Sequence, residues 1–148
     1  MIKVELQNAA THFEVPEEAQ FQCWAQAIES SESNDQTVAI RIVDEEEMTE
    51  LNCQYRQKVG PTNVLSFPSG LHEDVDIPFM GDVIICAPIV IKEAKEQGKQ
   101  TLSHWAHMTV HGILHLQGYD HMNEAEAEQM ESLEVQIMCT LGIENPYL

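Results

Sequence analysis

Three histidines lie close together in the segment HGILHLQGYDH, at positions 111, 115 and 121. Residues four apart on a helix share one face, so His111 and His115 can bind one ion together. Gly118 predicts a turn at the end of that helix, from which His121 can return as a third ligand. Three neutral imidazoles with an open fourth position are typical of a catalytic zinc site, and imidazole also suits nickel, copper or iron. The segment therefore predicts a transition-metal site.

This segment differs from the zinc-protease motif H-E-x-x-H-x-x-G-x-x-H at one position, where Gly112 replaces the glutamate. In that motif the glutamate takes a proton from the metal-bound water, which a glycine cannot do. Either another acid, Asp82 or Asp120, substitutes for it, or the reaction needs less proton abstraction than peptide hydrolysis. Asp120 could equally orient a ligand histidine, and Asp82 could be a turn residue. The spacing does not choose between them.

Two more histidines continue the same helix face towards the N-terminus. His107 precedes His111 by one turn and is a candidate to support the metal ligands through a hydrogen bond. His104 lies about 10 Å from His111, given the rise of about 1.5 Å per residue, and is therefore too far away to share its ion. We expect His104 to be a helix histidine with ordinary partners.

The composition predicts one globular domain, because 148 residues with 43% apolar and 22% charged residues can bury a sizeable core. No apolar run is long enough to span a membrane and no N-terminal signal segment is recognisable, so a cytoplasmic location is expected. The four cysteines lie far apart without a C-x-x-C pair, and we expect reduced, partly buried thiols. Their positions are Cys23, Cys53, Cys86 and Cys139.

The net charge of −18 disfavours non-specific binding to a polyanion. The acids are unevenly distributed, however. Residues 51–72 contain no Asp or Glu but include Arg56 and Lys58. This acid-free segment could bind an anion on an otherwise acidic protein.

The hydrophobic pattern predicts a single α+β domain over residues 1–148, with the element order β-α-β-α-β-β-α-α-α. We expect a small mixed sheet of about four strands packed with about five helices, one of them a zincin-like metal-site helix. Strands are predicted at 3–9, 36–44, within 60–70 and at 81–86. Helices are predicted from Pro16, from a capping box of Asp44 and Glu47, from Pro88 to about Gln97, from Thr101 as a cap to Leu116 or Gln117, and from Asn123.

Three segments together resemble the YbeY family of bacterial endoribonucleases. They are LNCQYRQKVGPTNVLSFP at 51–68, GDVIICAPIV at 81–90 and HMTVHGILHLQGYDH at 107–121. The resemblance implies one zinc ion held by His111, His115 and His121, which nickel or another transition metal could replace in vitro. It also implies metal-dependent cleavage of single-stranded RNA, in 16S rRNA 3′-end maturation, ribosome biogenesis and ribosome quality control. The implied partners are ribosomal RNA, the small ribosomal subunit and ribosome-associated proteins.

The resemblance also implies roles for individual residues. Arg56 is expected at the active crevice, which the segment 62–68 is expected to line. Arg56 and His115 are accordingly predicted to be catalytic, and Arg56, Lys58, Asn63 and Ser66 to bind substrate. RNA supplies its own nucleophile, the 2′-OH, so a metal site that activates water or stabilises phosphate charge suits a chain without the protease glutamate.

Two other functions compete with this one. The histidine spacing alone would fit a metalloprotease, but Gly112 counts against that function. The strong negative charge would fit a zinc-stabilised ribosome-assembly factor that binds protein and has no catalytic activity. Water in the fourth coordination position of the metal would favour an enzyme, whereas a protein ligand would favour a structural zinc. The oligomeric state is not predicted.

Overall fold

A four-stranded mixed sheet organises residues 2–28, 35–69, 79–120 and 122–147, the part of the chain that the computed structural model describes. The strands are β1 (Ile2–Asn8), β2 (Gln36–Val43), β3 (Val64–Pro68) and β4 (Phe79–Cys86). Their order in the sheet is β1-β2-β4-β3. The first three strands in that order are parallel, and β3 pairs antiparallel with β4. This places β3 at the edge of the sheet.

Five helices surround this sheet in the described ranges. They are α1 (Glu18–Gln26), α2 (Glu45–Arg56), α3 (Ala87–Glu96), α4 (Thr101–Leu116) and α5 (Glu124–Thr140). None of these helices is both long enough and apolar enough to cross a membrane. The observed order of strands and helices confirms the predicted α+β order.

Helix α4 forms the centre of the larger core. It packs against β3 and β4 on one side and contacts α1, α3 and α5 on others. Because it is enclosed by so many elements, most of its residues are buried, including Trp105, Val110 and Ile113. The Trp105 ring meets the Phe21 ring of α1 edge to face, with 6.0 Å between centroids. The histidine-bearing helix is therefore held rigidly by the rest of the domain.

A smaller core covers the opposite face of the sheet, where α2 packs against β4 and α3. Its buried members are Val43, Met48, Leu65, Ile84 and Cys86. Because both faces are covered at the centre of the sheet, β4 ends in a nearly continuous apolar run, whereas the edge strand β1 alternates between buried and exposed residues.

Two details of the sequence prediction were wrong. Thr101 is the first helical residue of α4, and Gln100 is its N-cap. Asp44 does accept a hydrogen bond from the Glu47 backbone N–H, at 2.9 Å. The reciprocal half of the capping box is missing, because the Glu47 carboxylate pairs with the Arg41 guanidinium at 2.6 and 2.9 Å.

The cysteines are all free thiols, as expected. The prediction that they are partly buried holds only for Cys86, which packs in the smaller core. Cys23, Cys53 and Cys139 are exposed, because each lies on the solvent side of its helix. Apolar neighbours in the sequence do not determine which side of a helix a residue occupies.

Candidate functional site

Two of the three predicted metal ligands lie side by side on α4. The ring centroids of His111 and His115 are 4.8 Å apart, with the rings inclined at 79°. About a fifth of each side chain is exposed, 21% and 23% respectively, and both line the same groove. The predicted third ligand, His121, falls outside the described residues.

The chain turns at Gly118, as its sequence position predicted. This residue has a φ of +101°, in the left-handed region that glycine tolerates. The backbone N–H groups of Gly118 and Tyr119 donate to the His115 and Leu114 carbonyls, which ends α4. The turn brings Asp120 back towards the helix, with its Oδ1 4.0 Å from His115 Nδ1. Asp120 is therefore a carboxylate close to the histidine pair.

A groove of about 870 Å³ lies between edge strand β3 and the C-terminal end of α4. It brings together most of the predicted site residues, namely Arg56, Lys58, Asn63, Ser66, His111, His115 and Asp120. Asp120 is the only acid among the described residues that line it. The groove thus combines an acid-free basic wall with the histidine pair, as an anion-binding site requires.

Arg56 lies exposed at the end of α2. Its Nη2 donates to the Ser66 carbonyl oxygen at 3.2 Å, and its Cζ lies 6.0 Å from the centre of the Phe67 ring. Within the described ranges no acidic side chain comes within ion-pair distance of it. The guanidinium is held by a neutral carbonyl, and none of the described carboxylates neutralises its charge, which suits an anionic ligand.

Two predicted substrate-binding residues have partners inside the protein. The Ser66 hydroxyl donates to the Gly112 carbonyl at 2.9 Å and is almost fully buried. The Asn63 amide donates to the Glu93 carboxylate at 3.1 Å. Both hydrogen bonds fix the wall of the groove to the helices behind it. A direct contact of either residue with substrate stays a prediction.

At Gly112, α4 packs closely against the sheet. A Cβ atom at this position would lie 2.5 Å from Val83 Cγ1 and 3.3 Å from Ser66 Oγ. Val83 is fully buried and its β-branched side chain has little freedom to move. Position 112 therefore faces the sheet and has no room for a glutamate. Close packing therefore explains why position 112 is a glycine and not the glutamate of the protease motif.

Asp82 lies away from the histidine pair. Along β4, Val83 and Ile85 pack in the larger core with α4, and alternation directs Asp82 to the opposite face of the sheet. Partial desolvation there raises the pKa of Asp82 above its ordinary value. Of the two candidate bases, Asp120 lies close to His115, whereas Asp82 lies on the other face of the sheet.

Glu134 is the residue of this region that the sequence prediction missed. It lies on α5, is fully buried, and its Oε1 is 2.6 Å from His111 Nδ1 and 3.3 Å from His107 Nε2. The Tyr147 hydroxyl donates to its other oxygen. Burial raises the pKa of Glu134, but the hydrogen bonds from His107, His111 and Tyr147 outweigh this and lower the pKa to about 2. The group is therefore a carboxylate at neutral pH.

A signal for Glu134 does exist in the sequence. Met130 and Met138 belong to the apolar stripe of α5, and Glu134 lies four residues from each of them, on the same helix face. All three are buried. Because an acid is almost never fully buried without a partner, an acid within an apolar stripe indicates a buried polar interaction.

The donor atoms of this region are suited to a transition metal. The Nδ1 atom of His111 interacts with Glu134, so its other ring nitrogen, Nε2, remains to bind an ion. Such an ion would lie in the groove that His111 and His115 both line. His107, His111 and Glu134 form a second possible group, whose ligand atoms lie within 4.8 Å of one another. Both groups contain imidazole, which zinc and nickel accept readily and magnesium does not.

His104 has the ordinary partner expected for it. Its Nε2 lies 2.9 Å from the Glu93 carboxylate, and only 3% of the residue is exposed. Burial lowers the pKa of His104, the attraction of Glu93 raises it less, and the positive charges of His107 and Lys99 lower it further. His104 is therefore neutral in the folded state at a pH where an exposed histidine would be protonated.

We expect this burial to reduce stability on acidification. Below a pH of about 6.5, His104 takes up a proton in the unfolded chain before it does so in the folded one. The folded state therefore loses up to about 1.4 kcal/mol per pH unit until the lower folded pKa is reached. Chemical unfolding between pH 7 and 5 should show a shallower pH dependence in His104→Gln than in the wild type. The exposed-histidine control His12→Gln should match the wild type, and an unchanged slope in His104→Gln would contradict the account.

Known proteins match this sequence over nearly the whole chain. A family model described as "Endoribonuclease YbeY" matches residues 5–142. A protein of that name from Methylococcus capsulatus strain Bath is 56% identical over 147 residues, which cover 99% of this chain and 96% of the relative. The solution structure of TM1509 from Thermotoga maritima superposes with a TM-score of 0.60 at 28% identity, covering 95% of this chain and 91% of that one.

Proposed function

The chain belongs to the endoribonuclease YbeY family, and on that premise we propose that it cleaves single-stranded RNA internally with the help of a bound transition metal. The observation that carries the proposal is the groove in which the His111 and His115 pair and the exposed Arg56 occur together. Phosphodiester cleavage needs positive charge at the phosphate, and this groove can supply it from a metal and from a guanidinium.

We assign the metal to His111, His115 and His121. The adjacent rings of the first two and the hydrogen bond from His111 to Glu134 support this assignment. Zinc is the expected ion, and nickel is an alternative with similar ligand preferences. When bound, the ion acts as a Lewis acid that stabilises negative charge on the phosphate oxygens.

Arg56 is the residue we assign to the phosphate. Its planar guanidinium can donate two parallel hydrogen bonds to phosphate oxygens while it keeps its bond to the Ser66 carbonyl. Lys58, exposed beside it, adds a second positive charge. In the reaction the RNA 2′-OH would attack the neighbouring phosphorus, the P–O5′ bond would break, and the departing 5′-oxygen would take a proton from water. Arg56 would stabilise the charge that develops on the phosphate. Among the described residues, Asp120 is the carboxylate that lines the groove, and we assign it to accept the proton.

The charge of the protein limits how it meets its substrate. A net charge of −18 repels RNA at long range, so binding rests on the local basic wall and should weaken steeply with salt. We propose that the ribosome or a ribosome-associated protein holds the substrate in place. This fits a cytoplasmic function in 16S rRNA 3′-end maturation, ribosome biogenesis and ribosome quality control.

A non-catalytic ribosome-assembly factor is the second candidate, and the same negative charge favours it because acidic surfaces suit basic protein partners. A protease function has no support, since the position of its glutamate faces the sheet at Gly112.

Choice of substrate distinguishes the nuclease from the assembly factor. We expect the zinc-loaded protein to cut a labelled single-stranded RNA at internal positions. It should leave the same RNA largely intact after annealing to its complement, because bases in a duplex cannot be spread into a groove. Cleavage should decrease between 50 and 200 mM salt. RNA that remains uncut under all these conditions, with zinc bound, would support the assembly factor instead.

A further inference from the structure

Glu134 has a set of contacts that the proposed reaction does not explain. Its carboxylate is wholly buried, yet it interacts with two histidines of α4 and with a tyrosine near the C-terminus. Burial of a carboxylate in a protein core costs desolvation free energy, and several hydrogen bonds to the carboxylate are needed to offset that cost. Such an arrangement indicates a specific task for this residue.

Direct ligation of an ion by Glu134 fits the distances poorly. Two ligands about 2.0–2.1 Å from a tetrahedral zinc lie about 3.3 Å from each other. Glu134 Oε1 and His111 Nδ1 are only 2.6 Å apart, which is the length of a charge-assisted hydrogen bond. Glu134 therefore interacts with the histidine itself, on the ring nitrogen away from the groove.

We propose that Glu134 is the positioning residue of the metal site, and that it keeps the Nδ1 of His111 protonated so that Nε2 is presented to the ion. This inference rests on the proposed metal assignment and adds the group that orients one ligand. A carboxylate behind a ligand histidine fixes its tautomer and makes the metal-binding nitrogen more basic.

Tyr147 extends this arrangement to the end of the chain. Its hydroxyl donates to Glu134 and lies 3.3 Å from His107 Nε2, and the rings of Tyr147 and His107 pack edge to face with 5.3 Å between centroids. Glu134 is thereby held from three directions. Through this contact Tyr147, which is not among the described residues that line the groove, would influence metal affinity.

The test combines an NMR measurement with a metal titration. In the metal-free wild type, long-range ¹H–¹⁵N spectra should show His111 with its proton on Nδ1. Competition with a chelator should then show zinc binding about 10- to 100-fold weaker in Glu134→Gln, which keeps the shape but not the charge. Tyr147→Phe should weaken zinc binding by less than about 10-fold. Glu128→Gln, an exposed substitution on the same helix, should bind like the wild type.

Three outcomes are informative. A proton on Nε2 of His111 in the metal-free wild type would overturn the proposal without any variant, so it stays testable even if Glu134→Gln does not fold. Unchanged zinc affinity in a folded Glu134→Gln would overturn it as well. A wild type that binds no zinc would instead overturn the proposed function, while the tautomer of His111 would still report what Glu134 does.

Discussion

The His115→Ala variant is expected to lose bound zinc and RNA cleavage together. His115 is half-buried, lines the groove and lies next to His111, so its imidazole is a ligand in our assignment. Removal of a ligand should weaken zinc binding by more than the roughly 10- to 100-fold typical of its supporting groups. At limiting zinc, cleavage should fall by at least about 100-fold, because the ion supplies several kcal/mol of charge stabilisation.

The control for this prediction is His12→Ala, which removes an exposed histidine and should change neither property. The same titration separates the two possible ligand groups. If the ion were bound by His107, His111 and Glu134 instead, His115→Ala would keep its zinc and His107→Ala would lose it. That pattern would contradict our assignment. Circular dichroism and thermal unfolding of each variant would establish that the fold is intact.

Replacement of Arg56 by alanine should reduce cleavage by about 100- to 1,000-fold, the usual effect of removing a group that stabilises transition-state charge. Zinc affinity should not change, since Arg56 lies on the opposite wall of the groove. Stability should change by no more than about 0.5 kcal/mol, because the side chain is exposed. The initial cleavage rate, measured on samples with equal zinc content, tests this.

Two further substitutions make the result specific. Arg56→Lys keeps the charge but not the planar pair of donors, so its activity should lie between those of the wild type and Arg56→Ala. Lys58→Ala should cause a smaller, salt-dependent loss, since it removes only general attraction. Equal activity in Arg56→Ala and the wild type would mean that Arg56 merely caps the Ser66 carbonyl.

The sequence was sufficient for the element order and for the histidine face, because both follow from periodicity. Helical spacing brings His111 and His115 together, and Gly118 ends α4 with the expected positive φ. The same local reasoning failed for Asp82. In the sequence, Val83, Ile84 and Ile85 form one continuous apolar run, so polarity does not reveal which face of the sheet Asp82 occupies.

Contacts between distant elements account for the rest. Glu134 lies 23 residues beyond His111 on a helix with several other acids, and only its place between Met130 and Met138 distinguishes it. The meaning of Gly112 depends on Val83, a residue of another element, whose side chain occupies the space that a Cβ would need. Such pairings depend on tertiary packing, which no sequence spacing specifies.

The most direct test of the central claim is a titration of metal-free protein with zinc, in which bound zinc per chain and the cleavage rate of single-stranded RNA are measured on the same samples. A metal-dependent nuclease with one site predicts a rate that rises in proportion to bound zinc and levels off at one ion per chain. Full cleavage without zinc, or no cleavage at one bound ion per chain, would contradict it.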